Sequence, residues 1–205
     1  MSDLRLTDDG LDEEVARAEV YGLLALLFQA PPSPALLANL RLAVTEAPVP
    51  GAFLEEPFRQ LVGVARARTD AEVATEYDAL FGGVGKPDVL PYGSHFMSGF
   101  LNDKPLAQLR ADLAQLGLGR DETTGNTEDH VAYLCEVMRY LIAGDDVGVA
   151  NLAQQQHFYT RHLQPWIGQL AEQLRERPGA PFYQAVGVFL HAFAEVEAQG
   201  FDLVD

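Results

Sequence analysis

The chain has 205 residues, 30 of them acidic and 14 basic, for a formal net charge of −16. At this length a chain buries roughly 70% of its unfolded surface, so it needs neither a disulfide nor a metal to hold a core; the single cysteine, Cys135, rules out an internal disulfide and suits a reducing compartment. The acidic surface repels nucleic acid and anionic membranes and attracts cationic partners.

The N-terminal MSDLRLTDDG has no basic region leading into an apolar run, so no secretory signal is expected. The longest apolar run, 20–28, is too short to cross a bilayer. A soluble cytoplasmic protein is expected, one domain over 1–205 with residues 1–11 flexible. Residues 12–29 predict a Leu-rich helix with acidic residues in its first turn, which suits the helix dipole. PPSP stops it, and Ser33 then caps a short helix that begins at Pro34. A third helix falls within 52–67. TDAE at 69–72 is a capping box that opens a helix ending near Phe81.

The stretch that follows, LFGGVGKPDVLPYGSHF (80–96), crowds glycines, a lysine and prolines together. It is not a phosphate loop: Pro87 stands where the hydroxyl residue after Gly-Lys should be, and Leu80 where the first glycine should be. It predicts an irregular connection over 82–93, a hinge between helical parts that would also permit domain swapping. Residues 103–116 predict a helix ended by Gly117. Residues 127–143 give the clearest periodicity: Val131, Leu134, Cys135, Met138, Leu141 and Ile142 share one face, with Asn126 as N-cap and Asp129 in the first turn. Helices follow over 147–163 and 165–176, parted at Pro165, and over 181–198, where Phe182, Val186, Phe189, Phe193 and Val196 form a stripe. With no period-two run, the class is all-α, a single globular domain of about nine helices.

Chemistry is sparse. No Glu has a His three residues later, so no di-iron pattern exists, and no metal or cofactor is expected. His157 and His162 read as surface or half-buried, and His191 and Glu195 as an i,i+4 pair. Cys135 reads as a core residue, and PYGSH lacks the strand–turn–helix setting of a serine nucleophile. Glu128-Asp129-His130 stands out at a helix start, where a histidine should be neutral or paired with a carboxylate.

Two segments carry a resemblance. EYDALFGGVGKPDVLPYGSHF (76–96) and NTEDHVAYLCEVMRYL (126–141) are similar to the two signatures of the TorD/DmsD/NarJ family, and HFYTRHLQPWIGQLAEQL (157–174) and FYQAVGVFLHAFAEVE (182–197) to its C-terminal helices. The chain departs from the family pattern at Gly82-Gly83, where many relatives have Gly-Pro, and at Asn126-Thr127, where they have Glu-Pro. The resemblance implies a TorD-like all-helical cytoplasmic chaperone, not an enzyme. Such a chaperone binds the twin-arginine signal peptide or the apo form of a molybdopterin oxidoreductase, and assists cofactor insertion before export. It implies client-binding or structural roles for Tyr77, Leu80, Phe81, Pro91, Tyr92, Ser94, Asp129 and His130. Physically, a basic and apolar peptide needs an apolar groove with an acidic rim, to which Leu80, Phe81, Tyr92, Phe96 and Met97 can contribute. The phrasing of FLNDKPLAQLRADLAQLGL resembles relatives that serve formate dehydrogenases; a dimethyl sulfoxide reductase-type client is the other expectation. Two competing readings are an enzyme using His130 and a neighbouring carboxylate as acid and base, and a nucleotide-responsive protein, which Pro87 argues against. Monomer and domain-swapped dimer both remain open.

Overall fold

The computed structural model describes residues 8–45, 54–82, 87–119 and 125–203. Ten helices lie among them: α1 (Asp8–Gln29), α2 (Pro34–Leu42), α3 (Glu55–Ala67), α4 (Asp70–Phe81), α5 (Gly93–Ser98), α6 (Lys104–Gln115), α7 (Val131–Ala143), α8 (Leu152–His162), α9 (Ile167–Arg175) and α10 (Pro181–Asp202). The all-α class holds, and the helix beyond the expected nine is α5, six residues that begin where the expected Gly/Pro connection ends. Of that connection, residues 83–86 lie outside the described residues, as do 1–7 of the segment expected to be flexible; the backbone from Asp8 onward is helical. Among the described residues the only β pairing is an isolated antiparallel bridge between Tyr92 and His130.

Local signals set several boundaries. The Ser33 side chain accepts the Leu36 N–H. Thr69 and Glu72 form the full capping box that starts α4. Gly117, at φ +70°, ends the α6 segment in a left-handed conformation that suits glycine. Packing then layers the helices. α1 lies along α7, α10 along α9 and α3, and α8 against α7. Because α7 is covered on more than one side, it buries Ala132 and Val137 beyond the single face expected from its periodicity. Cys135 sits in that core, and burial raises its thiol pKa, as expected of a structural cysteine. α9 and α10 approach so closely that a Cβ on Gly187 would lie 2.8 Å from the Ala171 carbonyl oxygen and 2.9 Å from the Arg175 nitrogen.

Two sequence expectations need correction. His162 is buried rather than surface or half-buried: its Nε2 lies 2.8 Å from Asp112 on α6, and its ring packs on Phe158. The α7 helix starts at Val131 with His130 as N-cap, not at Thr127 with Asn126 as cap. The reason is tertiary. Residues 129–131 pair with 91–93, the Gly93 N–H donating to the Asp129 carbonyl and the Val131 N–H to the Pro91 carbonyl, both at 2.9 Å. That pairing holds His130 extended (φ −66°, ψ 135°), so the helix can begin only after it.

Candidate functional site

The site is built where the segment 91–102 meets the start of α7. Asp129 is 2% exposed and spends both carboxylate oxygens inside the protein. Oδ2 accepts the Ser94 N–H at 2.9 Å and the Ser94 hydroxyl at 2.5 Å, and Oδ1 accepts the Thr127 hydroxyl at 2.6 Å. The Ser94 N–H is one of the orphan donors in the first turn of α5, so Asp129 is a helix cap supplied from another part of the chain. Ser94, fully buried, passes the link on by accepting the Asn102 N–H at 3.2 Å. Ser98 donates to the Ser94 carbonyl. The turn between α5 and α6 is thereby fixed, with Gly99 (φ +82°) and Asn102 (φ +59°) both left-handed, and it displays Phe100 at 72% exposure beside exposed Met97 and Leu101.

His130 faces Tyr92, ring centroids 4.9 Å apart and edge to face, and its Nδ1 accepts the Ala132 N–H. That bond requires an unprotonated Nδ1. Burial pushes the imidazole pKa down to about 4, the Asp129 charge opposing only in part, so the ring is neutral at pH 7, as expected of a histidine at a helix start. The Tyr92 hydroxyl donates to Asn126 Oδ1, which gives Asn126 a role other than capping. Burial, and then Asp129, raises the Tyr92 pKa. The cleft beside His130 holds only about 100 Å³, well short of the roughly 300–1,000 Å³ of small-molecule sites. His130 is thus committed to a cap and a ring contact, and Ser94 is bonded to a carboxylate rather than to a histidine. Among the described residues no group of His, Cys, Asp or Glu is arranged to hold a metal.

The remaining residues singled out in the sequence form a second cluster. Phe81 packs on Phe28, Tyr77 and Tyr183, and the Tyr77 hydroxyl donates to the Phe28 carbonyl. Burial first, then Tyr92 and Asp78, pushes the Tyr77 pKa up to about 12. Leu80 is buried and presents no surface, and Pro91 is buried too. The Val89 N–H donates to the Leu80 carbonyl, which draws the chain back to the end of α4 after the glycine-rich stretch. Phe81, Tyr92 and Phe96 are half-buried, and the Phe96 ring stacks on the buried Trp166.

Several contributors escaped sequence reasoning. Glu76 reaches from α4 to accept the Phe182 and Tyr183 N–H groups at the start of α10, and burial raises its pKa above the usual carboxylate value. A signal existed, since Glu76 shares a helical stripe with Val73 and Leu80. Arg110 and Glu128 form a bidentate pair between α6 and the site. Trp166 abuts Gly93, where an added Cβ would lie 3.2 Å from the indole nitrogen.

This geometry lies within a stretch that matches a known protein family. The family model described as nitrate reductase delta subunit matches residues 51–172, which covers most of the chain, both site segments included. The chain belongs to this family, the TorD/NarJ family. Among curated relatives, a chaperone protein TorD from Photobacterium profundum is 29% identical over 153 residues, 70% of this chain and 71% of the relative. A chaperone protein TorD from Vibrio cholerae is 26% identical over 202 residues, 91% of this chain and 92% of the relative. In this TorD/NarJ family member no described helix is long and apolar enough to cross a membrane.

Proposed function

We propose that this TorD/NarJ family member is a non-enzymatic maturation chaperone for a molybdenum-dependent oxidoreductase. It binds the twin-arginine signal peptide or the apo form of its client in the cytoplasm and holds it until molybdopterin is inserted. The observation that carries this reading is the similarity, over nearly the whole chain, to proteins named chaperone TorD. Two physical features support it. A formal charge of −16 attracts a basic leader. A cross-linked turn holds Met97, Phe100 and Leu101 exposed beside half-buried Tyr92 and Phe96, which gives apolar surface next to the Asp129–His130 anchor. Asp129, Ser94 and Pro91 act on recognition indirectly, by holding that surface in shape. The client is a formate dehydrogenase or a dimethyl sulfoxide reductase-type subunit.

Calorimetry against a panel of twin-arginine peptides and apo-precursors tests the reading. Binding should appear at low ionic strength and weaken as salt rises, because part of it is electrostatic. Phe100→Ala should weaken it without changing the melting temperature. Absence of binding to every peptide and precursor at low salt would overturn the proposal.

A further inference from the structure

Away from this site, α1 and α10 do not pack flush along their ends. They are bridged by long side chains. Arg17 makes a bidentate pair with Glu197, Nε to Oε1 at 2.7 Å and NH2 to Oε2 at 2.9 Å, and the Tyr21 hydroxyl donates to the same carboxylate at 2.8 Å. The Tyr21 ring meets Phe193 edge to face. Between these struts the surface opens into a groove of about 750 Å³. Its walls are mainly apolar, with Val20, Leu152, Phe193 and Val196 among them, and Glu13 and Glu14 stand at one side.

We propose that this groove docks two turns of a cationic amphipathic helix belonging to the client, a second attachment point separate from the Asp129–His130 region. The inference rests on the chaperone reading for the identity of the partner and on the groove itself for its chemistry. Length comes first. The groove runs from Glu13 to Val20 on α1 and from Phe193 to Phe201 on α10, eight and nine residues and so roughly 10–12 Å along each helix axis. That span matches about two helical turns, enough for apolar side chains at i, i+3, i+4 and i+7 to enter between α1 and α10. Charge comes second. Arg17 and Glu197 neutralise each other in the floor, whereas no salt bridge among the described residues engages Glu13 or Glu14. Glu14 also feels the Arg17 charge, but with Arg17 already paired to Glu197 the rim is net negative, and the incoming helix should carry Lys or Arg at the edge of its apolar face. None of the groove residues belongs to the 91–102 or 126–131 segments, so both attachments can be made at once, and two weak contacts then add through effective concentration.

The test uses the full chain and a labelled 14-residue Leu/Lys amphipathic helical peptide, with a Leu/Glu peptide of the same pattern as control, followed by fluorescence anisotropy. The parent should bind the Leu/Lys peptide, and the Leu/Glu peptide at least about tenfold more weakly. Val196→Glu should lose about tenfold or more, and Glu13→Gln/Glu14→Gln, which disturbs no packing, about threefold to tenfold. Equal binding of the two peptides, or unchanged affinity in both variants, overturns the inference. Light scattering covers the other occupant: a parent dimer that Val196→Glu converts to monomer would assign the groove to a second copy of the chain and overturn the client assignment. Co-purification of a molybdoenzyme precursor separates the two readings. Capture of precursor by Val196→Glu as strongly as by the parent removes the groove from client binding and leaves the chaperone reading standing. Peptide binding with no precursor captured by the parent does the reverse.

Discussion

Replacing Asp129 by Ala removes the acceptor for three bonds at once: the Ser94 N–H, the Ser94 hydroxyl and the Thr127 hydroxyl. The two hydroxyls can rotate toward other acceptors, but the Ser94 N–H is fixed in the first turn of α5, and Ser94 is fully buried. Losing a cap costs about 1 kcal/mol at an ordinary helix start, and about 1–3 kcal/mol where the donor left without a partner is buried, as here. Asp129→Ala should therefore destabilise by about 1–3 kcal/mol, or about 2–12 °C in melting temperature for a domain of this size. Asp129→Asn keeps one carbonyl acceptor but turns an amide donor toward either Ser94 or Thr127, and should fall between Ala and the parent. Urea unfolding followed by circular dichroism measures both, with an unchanged m-value confirming that the same fold is lost. A double-mutant cycle with Ser94→Ala should return a coupling of at least about 1 kcal/mol, since the two groups bond directly. An Asp129→Ala protein within about 0.5 kcal/mol of the parent, a change typical of a neutral surface site, would refute the capping argument.

His130 should make stability depend on pH. Its folded pKa of about 4 lies below its ordinary value of 6.5, so the unfolded chain takes up a proton first as pH falls. The contribution is intact above about 6.5 and is lost at up to about 1.4 kcal/mol per pH unit down to about 4. His130→Asn, which can still cap but does not titrate there, should flatten that part of the profile, and an unchanged profile would contradict a neutral buried ring. Gly93→Ala would push a Cβ to 3.2 Å from the Trp166 indole nitrogen, which is itself held by a 2.6 Å bond to the His162 carbonyl; a loss of about 1–3 kcal/mol is expected, with a shift in the emission of the only tryptophan. Gly187→Ala meets backbone atoms of α9 rather than a movable side chain, so its loss of stability should exceed that of Gly93→Ala. Cys135 should resist a thiol reagent in the native state and react with one equivalent in urea, because its sulfur is buried and its pKa is raised.

Sequence alone was enough for what depends on neighbours along the chain. The helical period placed α7 and α10, Ser33 and the Thr69–Glu72 box marked two helix starts, and Gly117 marked an end, because caps and periodicity act within one or two turns. The two segments that looked unusual, 76–96 and 126–141, are brought together by the fold, through the Tyr92–His130 bridge and the Ser94–Asp129 bonds. What the linear pattern could not supply was the partner of each polar group. Asn126-Thr127-Glu128-Asp129 has the look of a helix start, yet the carboxylate of Asp129 caps α5 and Asn126 serves Tyr92, since a backbone bridge to residues 91–93 competes with helix formation and wins. The short α5 was hidden by its glycine and proline neighbours and exists because Asp129 satisfies its first turn. His162 read as surface or half-buried because a histidine on a helix carries no mark of burial; only the packing of α6 beside it, with Asp112 in reach, decides that it is inside. Hydrogen-bond partners more than thirty residues apart are chosen by which donors folding leaves unsatisfied in space, and that choice belongs to the tertiary structure.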